Sequence, residues 1–511
     1  MRQYEMCEIT LQGEVLSESW ADAAPEVVVA CGEAEHTVKG FYAGNGEYRV
    51  RFLPEIAGEW TYRVSGPVSG EGSVTVEPAR EGRHGIVRAV DCHFEHQDGT
   101  MYYPFGTTIY AMIHQDRELV EETFRSLEAA PFNKVRLCVF PKHYDFNHNE
   151  PEYYAFEKDA DGKWDVSRPC FVFWDLLDEA IERLGDLGIE ADLILFHPYD
   201  RWGFSKLTQE ESLTYLSYAI RRLSAYPNLW WSMANEYDFV AAKSMEDWHA
   251  IDTFISENDP WGHLLSNHNC FQRYDFTRET ITHCSIQTKA IQRVREWRKT
   301  YRKPVCIDEC CYEGNIIHPW GSISATEMTY RFWRTVVQGG YCTHGETFYS
   351  DDEILWWARG GKLKGESPAR IGFLRELVES LPGPIEPLEG GLLGLSNLPV
   401  DDRNSMMAQL TPEFRTFVEA RFRMSDVESQ IYDMMEDEYA GHVGEEAYLT
   451  FFDLRTCAKA VMNLPEDHRY QVELIDVMEM TRTLLPGEYS GKDEIDMPGK
   501  EGMALLATRI D

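Results

Sequence analysis

Long apolar runs are missing from this sequence. No stretch of about 18 uncharged apolar residues occurs, so no segment is predicted to span a membrane. The first eight residues, from Met1 to Glu8, contain no apolar run of the kind that a signal peptide needs. We therefore expect a cytoplasmic protein that has no membrane partner.

Basic residues are scarce as well. The chain has 49 Lys and Arg against 86 Asp and Glu, which gives a formal net charge of −37. Nucleic acids and anionic membrane surfaces attract basic protein faces, so this balance argues against both as partners. It is typical of a soluble enzyme that acts on a neutral substrate.

Motifs that bind metal ions or cofactors are also absent. The sequence contains no HxH or HExxH motif and no P-loop. Its 12 cysteines are scattered along the chain, and the group Cys306, Cys310 and Cys311 matches no common zinc pattern. We predict free thiols in a reducing compartment, no metal site and no cofactor.

Apolar and aromatic residues, in contrast, are abundant. Hydrophobic residues make up 43% of the 511 residues, which include 14 Trp, 26 Tyr and 25 Phe. This composition excludes a disordered chain, and the length predicts two to four domains with a large core.

The hydrophobic pattern changes twice along the chain and predicts three domains. In residues 1–82, short β-prone runs alternate with glycine turns, which favours an immunoglobulin-like β-sandwich. In residues 83–380, apolar strands alternate with amphipathic helices such as 172–187, the pattern of a (β/α)8 TIM barrel in an α/β protein. Residues 381–511 return to β-like runs and predict a C-terminal β-sandwich. The runs used for that last prediction are 415–420, 447–452 and 470–477.

Eight candidate strands account for the barrel, a number that fits about 290 residues of alternating strand and helix. They are 102–109, 134–140, 190–196, 229–234, 264–267, 283–287, 304–308 and 340–344.

Two glutamates lie at strand ends that should face each other across the barrel mouth. Candidate strand four ends in Asn235-Glu236, and candidate strand seven ends in Asp308-Glu309. Two carboxylates about 5–5.5 Å apart can act as proton donor and nucleophile in retaining glycoside hydrolysis. The alternative is that both are surface charges among 86 acidic residues. Each of them, however, follows an apolar strand at its carboxyl end, where a surface charge has no special reason to occur. We predict catalysis by Glu236 and Glu309.

Polar and aromatic residues near the other strand ends predict a sugar-binding pocket. Hydroxyl groups of sugars take hydrogen bonds, and their apolar faces stack on aromatic rings. A single histidine of this kind is more often a core residue, and histidine-rich barrel mouths also occur in metal-dependent hydrolases, but here the histidines fall singly on different strands. The candidate substrate-binding residues are His114, Arg136, His143, His197, Tyr199, Trp202, Asn235, His268, Gln287, Glu346 and Trp357.

Several longer motifs resemble a known group of glycoside hydrolases. They are YYPFGTTIYAMIHQ (102–115), VFPKHYDFNHNEPEYY (139–154), WWSMANEYD (230–238), IDECCYEGN (307–315) and GGYCTHGETF (339–348). The chain resembles clan A (β/α)8 glycoside hydrolases, and within them an apiosidase-like or endoglucanase-like group. Members of this group carry an N-terminal domain of unknown function, with a motif similar to 48–64, and a C-terminal β domain.

The resemblance implies the roles of the two glutamates: Glu236 would be the acid/base and Glu309 the nucleophile. Members with apiosidase activity can use an aspartate as acid/base, whereas this sequence has the Asn-Glu pair of clan A. The resemblance therefore supports the reaction class better than the substrate.

Together these features predict a retaining glycoside hydrolase that cleaves an oligosaccharide or glycoside by double displacement, acting in an exo manner. Two alternatives stay open at this point: a non-catalytic carbohydrate-binding protein on a barrel scaffold, and a transglycosylase. The oligomeric state also stays open, with a homo-oligomer as one option.

Overall fold

A computed structural model describes residues 1–388, 400–425 and 439–511. The chain forms two compact units. One comprises Met1–Lys289, Thr300–Met328 and Tyr341–Arg375, and the other comprises Ala290–Lys299, Thr329–Gly340 and Glu376–Asp511. In the described ranges, no helix combines the length and the apolar character that crossing a membrane requires.

The N-terminal region consists of two antiparallel sheets that pack face to face. Alternating side chains of these strands are buried, as Val27 and Val29 are, and pack with Trp60 in one shared core. The expected N-terminal antiparallel-sheet domain is thus confirmed. In sheet order, the first sheet contains Cys7–Gln12, Glu47–Phe52 and Phe41–Gly44, and the second contains Ala34–Lys39, Glu26–Cys31, Gly58–Ser65 and Gly70–Val76.

Eight parallel strands, labelled β1 to β8 here in chain order, form the barrel. They are hydrogen-bonded in the order β5-β4-β3-β2-β1-β8-β7-β6, and side-chain and backbone contacts join β5 to the segment before β6, including Thr282 N to Leu265 O at 2.9 Å. The predicted α/β TIM-barrel fold is therefore confirmed. The strands are β1 Phe105–Thr108, β2 Lys134–Cys138, β3 Glu190–Phe196, β4 Leu229–Ala234, β5 Leu265–Ser266, β6 Cys284–Gln287, β7 Val305–Glu309 and β8 Tyr341–His344.

Helices follow the barrel strands, and local capping explains where several of them begin. Asp116 accepts a hydrogen bond from Leu119 N at the first helix, and Thr208 forms a capping box with Glu211 at the third. The helix predicted over 172–187 is observed at Phe171–Asp186. The helices are α1 Arg117–Ala129, α2 Phe171–Asp186, α3 Gln209–Leu223, α4 Met245–Asn258, α5 Val294–Tyr301, α6 Ala325–Val337, α7 Trp356–Arg359 and α8 Ser367–Glu379.

Short strands and 3-10 helices lie before or between the barrel strands and helices along the chain. The predicted strand 102–109 is divided, because Met101–Tyr102 pairs with His93–His96 in a separate sheet whose third strand is Val87–Val90. Two ribbons pair Phe156–Lys158 with Trp164–Pro169 and Glu313–Gly314 with Glu346–Thr347. The 3-10 helices are Met112–His114, Phe204–Lys206, Tyr237–Phe239, Ile291–Arg293 and Pro319–Gly321.

A charged network fills the barrel beneath the end of β7. Lys134 Nζ donates to Asp308 at 2.6 Å and to Asp192 at 3.0 Å, and Ser285 and Thr343 also donate to Asp308 at 2.6 and 2.8 Å. Burial would raise the pKa of Asp308, but the neighbouring cations hold it well below its ordinary value. These fully satisfied polar contacts fix the backbone from which the next residue, Glu309, projects.

The C-terminal region forms an antiparallel sheet, as predicted. The prediction of a β-run at 415–420 is wrong, because Thr411 accepts a hydrogen bond from Phe414 N and Pro412 occupies the first helical position, so the chain forms a helix there. The predicted domain boundaries at 82 and 380 stay predictions. The sheet contains, in order, Glu386–Pro387, Tyr439–Val443, Ala447–Phe451, Met503–Arg509, Tyr470–Asp476 and Thr481–Leu484, beside the ribbon Lys459–Ala460/Ile495–Asp496 and the helices α9 Val400–Gln409 and α10 Pro412–Phe422.

Candidate active site

A cavity of about 230 Å³ opens at the carboxyl end of the barrel strands. It contains both glutamates that the sequence singled out, together with a wall of aromatic side chains. In a TIM barrel the chemistry is carried out at this end, so the cavity is the candidate active site. Its lining comprises Tyr110, Lys142, Tyr144, Phe146, Tyr199, Asn235, Glu236, Gln287, Glu309, Tyr312, Ile316, His318, Trp320, Gly321 and Trp357.

Glu309, the last residue of β7, is buried and surrounded by donors. The Tyr110 hydroxyl donates to the Glu309 carboxylate, and Arg136 Nη1 lies 3.6 Å from Glu309 Oε1. Burial and the negative charge of Glu236 raise the pKa of Glu309, while Arg136, Lys142 and the Tyr110 hydrogen bond oppose that rise. The negative charge of Glu236 therefore acts on Glu309 across the cavity.

Glu236 is the second residue after β4 and has a left-handed backbone conformation, with φ of 54°. Such a conformation is uncommon for a residue other than glycine, and observed cases cluster at functional sites. The Tyr199 hydroxyl donates to Glu236 Oε2, and Gln287 Nε2 donates to Oε1 over 3.2 Å. The strained turn thus places a carboxylate where Tyr199, after β3, and Gln287, at the end of β6, hold it.

Asn235 connects the two glutamates. Its Oδ1 accepts from Arg136 Nη2 at 3.2 Å and lies 2.8 Å from the Tyr110 hydroxyl, which also bonds to Glu309. With Oδ1 occupied by these partners, the amide Nδ2 of Asn235 is the group that remains to donate a hydrogen bond into the cavity.

Lys142 occupies the same cavity among four aromatic rings. Its Nζ lies 3.4 Å from the ring centroid of Tyr110, 4.3 Å from that of Tyr199, 4.9 Å from that of Tyr144 and 5.5 Å from that of Trp357. Burial lowers the pKa of Lys142, whereas the nearby glutamates act to raise it. Ring faces attract a cation at such distances, so the ammonium has an electrostatically favourable position.

Comparison with known proteins identifies the family. Residues 90–382, more than half of the chain, match the family described as apiosidase-like, catalytic domain. The chain belongs to this apiosidase-like family. Residues 1–66 and 436–508 match two domains of unknown function, DUF5060 and DUF5605. No curated protein matches the chain.

Solved structures agree with the family assignment. A candidate glycoside hydrolase from Bacteroides vulgatus ATCC 8482 is 34% identical to this chain, with a TM-score of 0.85 and coverage of 100% of this chain and 99% of that one. A glycoside hydrolase of family 5 from the same organism is 14% identical to this chain, with a TM-score of 0.59, and the match covers 83% of this chain and 94% of that one. This similarity supports the fold alone. The expected resemblance is confirmed: the protein is a glycoside hydrolase of the apiosidase-like family on a (β/α)8 barrel.

In this apiosidase-like barrel, some of the predicted binding residues line the cavity. Tyr199, Asn235, Gln287 and Trp357 belong to the lining. Arg136 lies directly behind it, where it contacts Asn235 and Glu309 and donates to Asp308 O at 3.3 Å. Arg136 therefore supports the lining residues rather than forming part of the wall.

Three predicted histidines do not line the cavity. His114 and His197 direct Nε2 to the backbone oxygens of Val139 and Phe140, at 3.0 and 3.1 Å, and burial lowers their pKa values to about 3 and about 4. His268 is buried, and burial lowers its pKa well below the usual value. All three are buried rings outside the cavity lining, so their predicted role in substrate binding stays a prediction.

His143 and Trp202 also lie outside the lining. Their rings contact each other edge to face at 6.0 Å, His143 lies 3.4 Å from His148, and Trp202 Nε1 donates to Glu150 at 2.9 Å. They form a separate cluster of loop side chains after β2 and β3.

Glu346, predicted in the pocket, instead pairs with Glu313 at the start of α8. Glu346 accepts hydrogen bonds from the backbone N–H groups of Lys364 and Gly365, at 2.5 and 2.8 Å, and Glu313 accepts from those of Glu366 and Ser367, at 2.8 and 3.1 Å. These contacts satisfy the amides of the turn before α8 and the first amide of the helix, that of Ser367. Neither carboxylate belongs to the lining of the cavity.

The same place offers the one metal-ligand group found in the described parts of the chain. Donor atoms of Glu313, His344 and Glu346 lie within 4.8 Å of one another, and all three residues are buried. The four amide hydrogen bonds already account for the carboxylates without an ion. Burial raises the pKa of Glu346 to about 7, although those amides act to lower it.

Sequence reasoning missed most of the aromatic wall. Tyr110 and Tyr144 follow β1 and β2, and Tyr312 lies three residues beyond Glu309, so the strand-end signal could have found them. Phe146, His318 and Trp320 lie farther out, on loops whose course the strand pattern does not define.

Proposed function

We propose that this apiosidase-like protein is a retaining glycoside hydrolase in which Glu236 is the acid/base and Glu309 the nucleophile. The observation that carries the proposal is that both carboxylates, from the ends of β4 and β7, line one cavity, where the negative charge of Glu236 raises the pKa of Glu309. Donors hold each carboxylate separately, Tyr110 at Glu309 and Tyr199 with Gln287 at Glu236.

The chemistry follows from this arrangement. Glu309 attacks the anomeric carbon while Glu236 gives its proton to the departing oxygen, which leaves a glycosyl ester on Glu309. Glu236, now ionised, then takes a proton from water, and the resulting hydroxide displaces Glu309 with a second inversion. The net outcome is retention of configuration.

The substrate we propose is the terminal sugar of an oligosaccharide or a glycoside. About 230 Å³ is below the roughly 300–1,000 Å³ of drug-sized ligand sites, which favours a single sugar ring and exo action. Tyr312, Trp320 and Trp357 offer ring faces for stacking, and Asn235 Nδ2 is suited to a sugar hydroxyl next to the anomeric carbon.

A cytoplasmic location is part of the proposal. None of the 12 cysteines, all of which the structure describes, forms a disulfide, and eight of them are buried. Free thiols are the usual state in a reducing compartment. An enzyme placed there would act on imported oligosaccharides or glycosides.

A screen of aryl glycosides and plant-derived oligosaccharides, followed by proton NMR of the fresh product, tests the function. We expect one terminal sugar to be released first as the anomer of the substrate. Release of the opposite anomer would exclude the retaining mechanism, and release of internal fragments would exclude exo action. Transfer of the sugar to added alcohol would report on transglycosylation.

A further inference from the structure

Lys142 has no role in the two-glutamate mechanism, yet it lines the cavity and is almost completely buried. Its ammonium makes no ion pair and no hydrogen bond with any residue that the structure describes, and ring faces are its nearest neighbours. A buried cation without a hydrogen-bonded anion is costly. Its charge therefore needs an explanation beyond packing.

The balance of buried charge gives that explanation. Beneath the cavity, Lys134 contacts Asp192 and Asp308, and Arg136 lies 3.8 Å from Asp192 and 3.6 Å from Glu309. The cavity itself contains two further carboxylates, those of Glu236 and Glu309, and one further cation, Lys142. The complete set of three cations and four carboxylates is Lys134, Arg136, Lys142, Asp192, Asp308, Glu236 and Glu309.

Three cations balance four carboxylates when one carboxylate carries a proton. The proposed mechanism requires this state, with Glu236 protonated and Glu309 ionised. Without the charge of Lys142, two cations would face four carboxylates, and the low-dielectric interior would favour a second proton. Glu309, the more deeply placed of the cavity pair, would take it.

We propose, on the basis of the proposed function, that Lys142 is a positioning residue whose ammonium keeps Glu309 ionised while Glu236 holds the proton for the leaving group. It acts through the nucleophile and does not itself take part in bond making. The aromatic rings around it hold the charge near the glutamates without accepting its protons.

The other titratable groups that face Lys142 are neutral near pH 7 and do not replace it. Burial raises the pKa of Cys138 on β2 to about 12, lowers that of His197 after β3 to about 4 and lowers that of His268 after β5 well below its usual value. The tyrosines around it, whose pKa values burial raises, are Tyr110 after β1, Tyr144 after β2 and Tyr199 after β3. Arg136, Glu236 and Glu309 are the remaining charged neighbours.

An infrared titration of Glu309 tests the proposal without any substrate. The carboxyl band would be assigned by its loss in Glu309→Gln and followed with pH in wild type, Lys142→Met and Lys142→Arg. We expect Lys142→Met to raise the midpoint by about one pH unit or more, because the charge of Lys142 acts to lower the pKa of Glu309 and a nearby opposite charge typically shifts a pKa by about 1–3 units. Lys142→Arg should titrate close to wild type.

The control is Lys362→Met, which removes an exposed lysine outside the cavity. If Lys142→Met does not fold, Lys142→Gln removes the same charge with a polar side chain. An unchanged Glu309 midpoint in the folded neutral variant, beside an unchanged control, would overturn the proposal.

The pH profile of kcat/KM on the aryl glycoside that wild type hydrolyses provides the second readout. Its acidic limb reports ionisation of the nucleophile in the free enzyme, so Lys142→Met should move that limb to higher pH by the same amount. If the acidic limb of the profile did not move, the role of Lys142 would be contradicted, whereas the proposed function would not. Full activity of Glu309→Gln would contradict the proposed function, while the infrared titration would still decide whether Lys142 controls Glu309.

Discussion

Two pairs of buried glutamates occur near the carboxyl end of the same barrel, and they differ in what surrounds them. Glu236 and Glu309 border a cavity and receive hydrogen bonds from side chains. Glu313 and Glu346 receive theirs from four backbone amides at the start of α8 and line no part of that cavity.

The contrast shows that a strand-end carboxylate is not by itself a sign of catalysis. Backbone amides of a turn or of a helix start hold a carboxylate in one structural role, since the contact satisfies buried backbone donors. Side-chain hydroxyl and amide donors beside open space leave a carboxylate able to meet a substrate. The predictions below test this division, from the pair bordering the cavity to the pair at the helix.

Removal of the nucleophile should have the largest effect. Glu309→Ala should lower kcat on an activated aryl glycoside by about 10⁴-fold or more, as losses of nucleophiles do. Azide can enter the vacated space and attack the anomeric carbon, so the azide product should have inverted configuration, measured by NMR. Full activity would make Glu309 a structural residue like Glu313, and a retained azide product would mean that the two roles are reversed.

Removal of the acid/base should have a smaller effect that depends on the leaving group. Glu236→Ala should lose about 10²–10⁴-fold on substrates that need protonation and less on an activated aryl glycoside. The glycosyl ester should accumulate, because no base activates water, and azide should release it with retained configuration. Mass spectrometry of the trapped protein checks the first point and NMR the second. An inverted azide product would contradict the assignment.

The sequence predicted the barrel and the cavity pair because both depend on strand ends, which the apolar pattern marks. It did not predict which side of a strand each residue faces, so His114, His197 and His268 were placed in a pocket that they do not line. Glu346 was misplaced for a related reason: the amides that hold it belong to the turn before α8, whose course depends on tertiary packing. Lys142 was missed because its role depends on a balance of buried charges that no single motif shows.

A change at Glu346, which accepts hydrogen bonds from the amides of the turn before α8, should affect stability and leave the chemistry unchanged. In Glu346→Gln the side-chain NH2 group, a donor, faces a backbone N–H that has lost its acceptor. The free energy of unfolding should therefore fall by about 1–3 kcal/mol, which lowers Tm by a few degrees, while kcat stays within about twofold of wild type. The raised pKa of Glu346 means that the folded protein binds its proton more tightly, so wild type should lose stability as pH rises from about 4.5 to about 7.

That decline should be weaker in the variant, because glutamine does not titrate. Melting curves at pH 5, 6, 7 and 8 measure the difference, and Glu190, whose pKa burial raises to about 8, is common to both proteins and cancels. Parallel pH dependence in the two proteins would show that Glu346 is not the titrating group. A large loss of kcat would place it in the active site after all.

The smallest effect should come from chelation. Two carboxylates suffice for double displacement, so exhaustive treatment with EDTA should change kcat by less than about twofold. The group most suited to a metal, Glu313, His344 and Glu346, lies outside the cavity lining, and its carboxylates already accept amide hydrogens. A drop in Tm with unchanged kcat would show a structural ion there, and Glu346→Gln should then remove the sensitivity of Tm to EDTA. If EDTA abolished activity and zinc or manganese restored it, a metal ion would take part in the reaction. That result would contradict the distinction between a catalytic pair, Glu236 and Glu309, and a structural pair, Glu313 and Glu346.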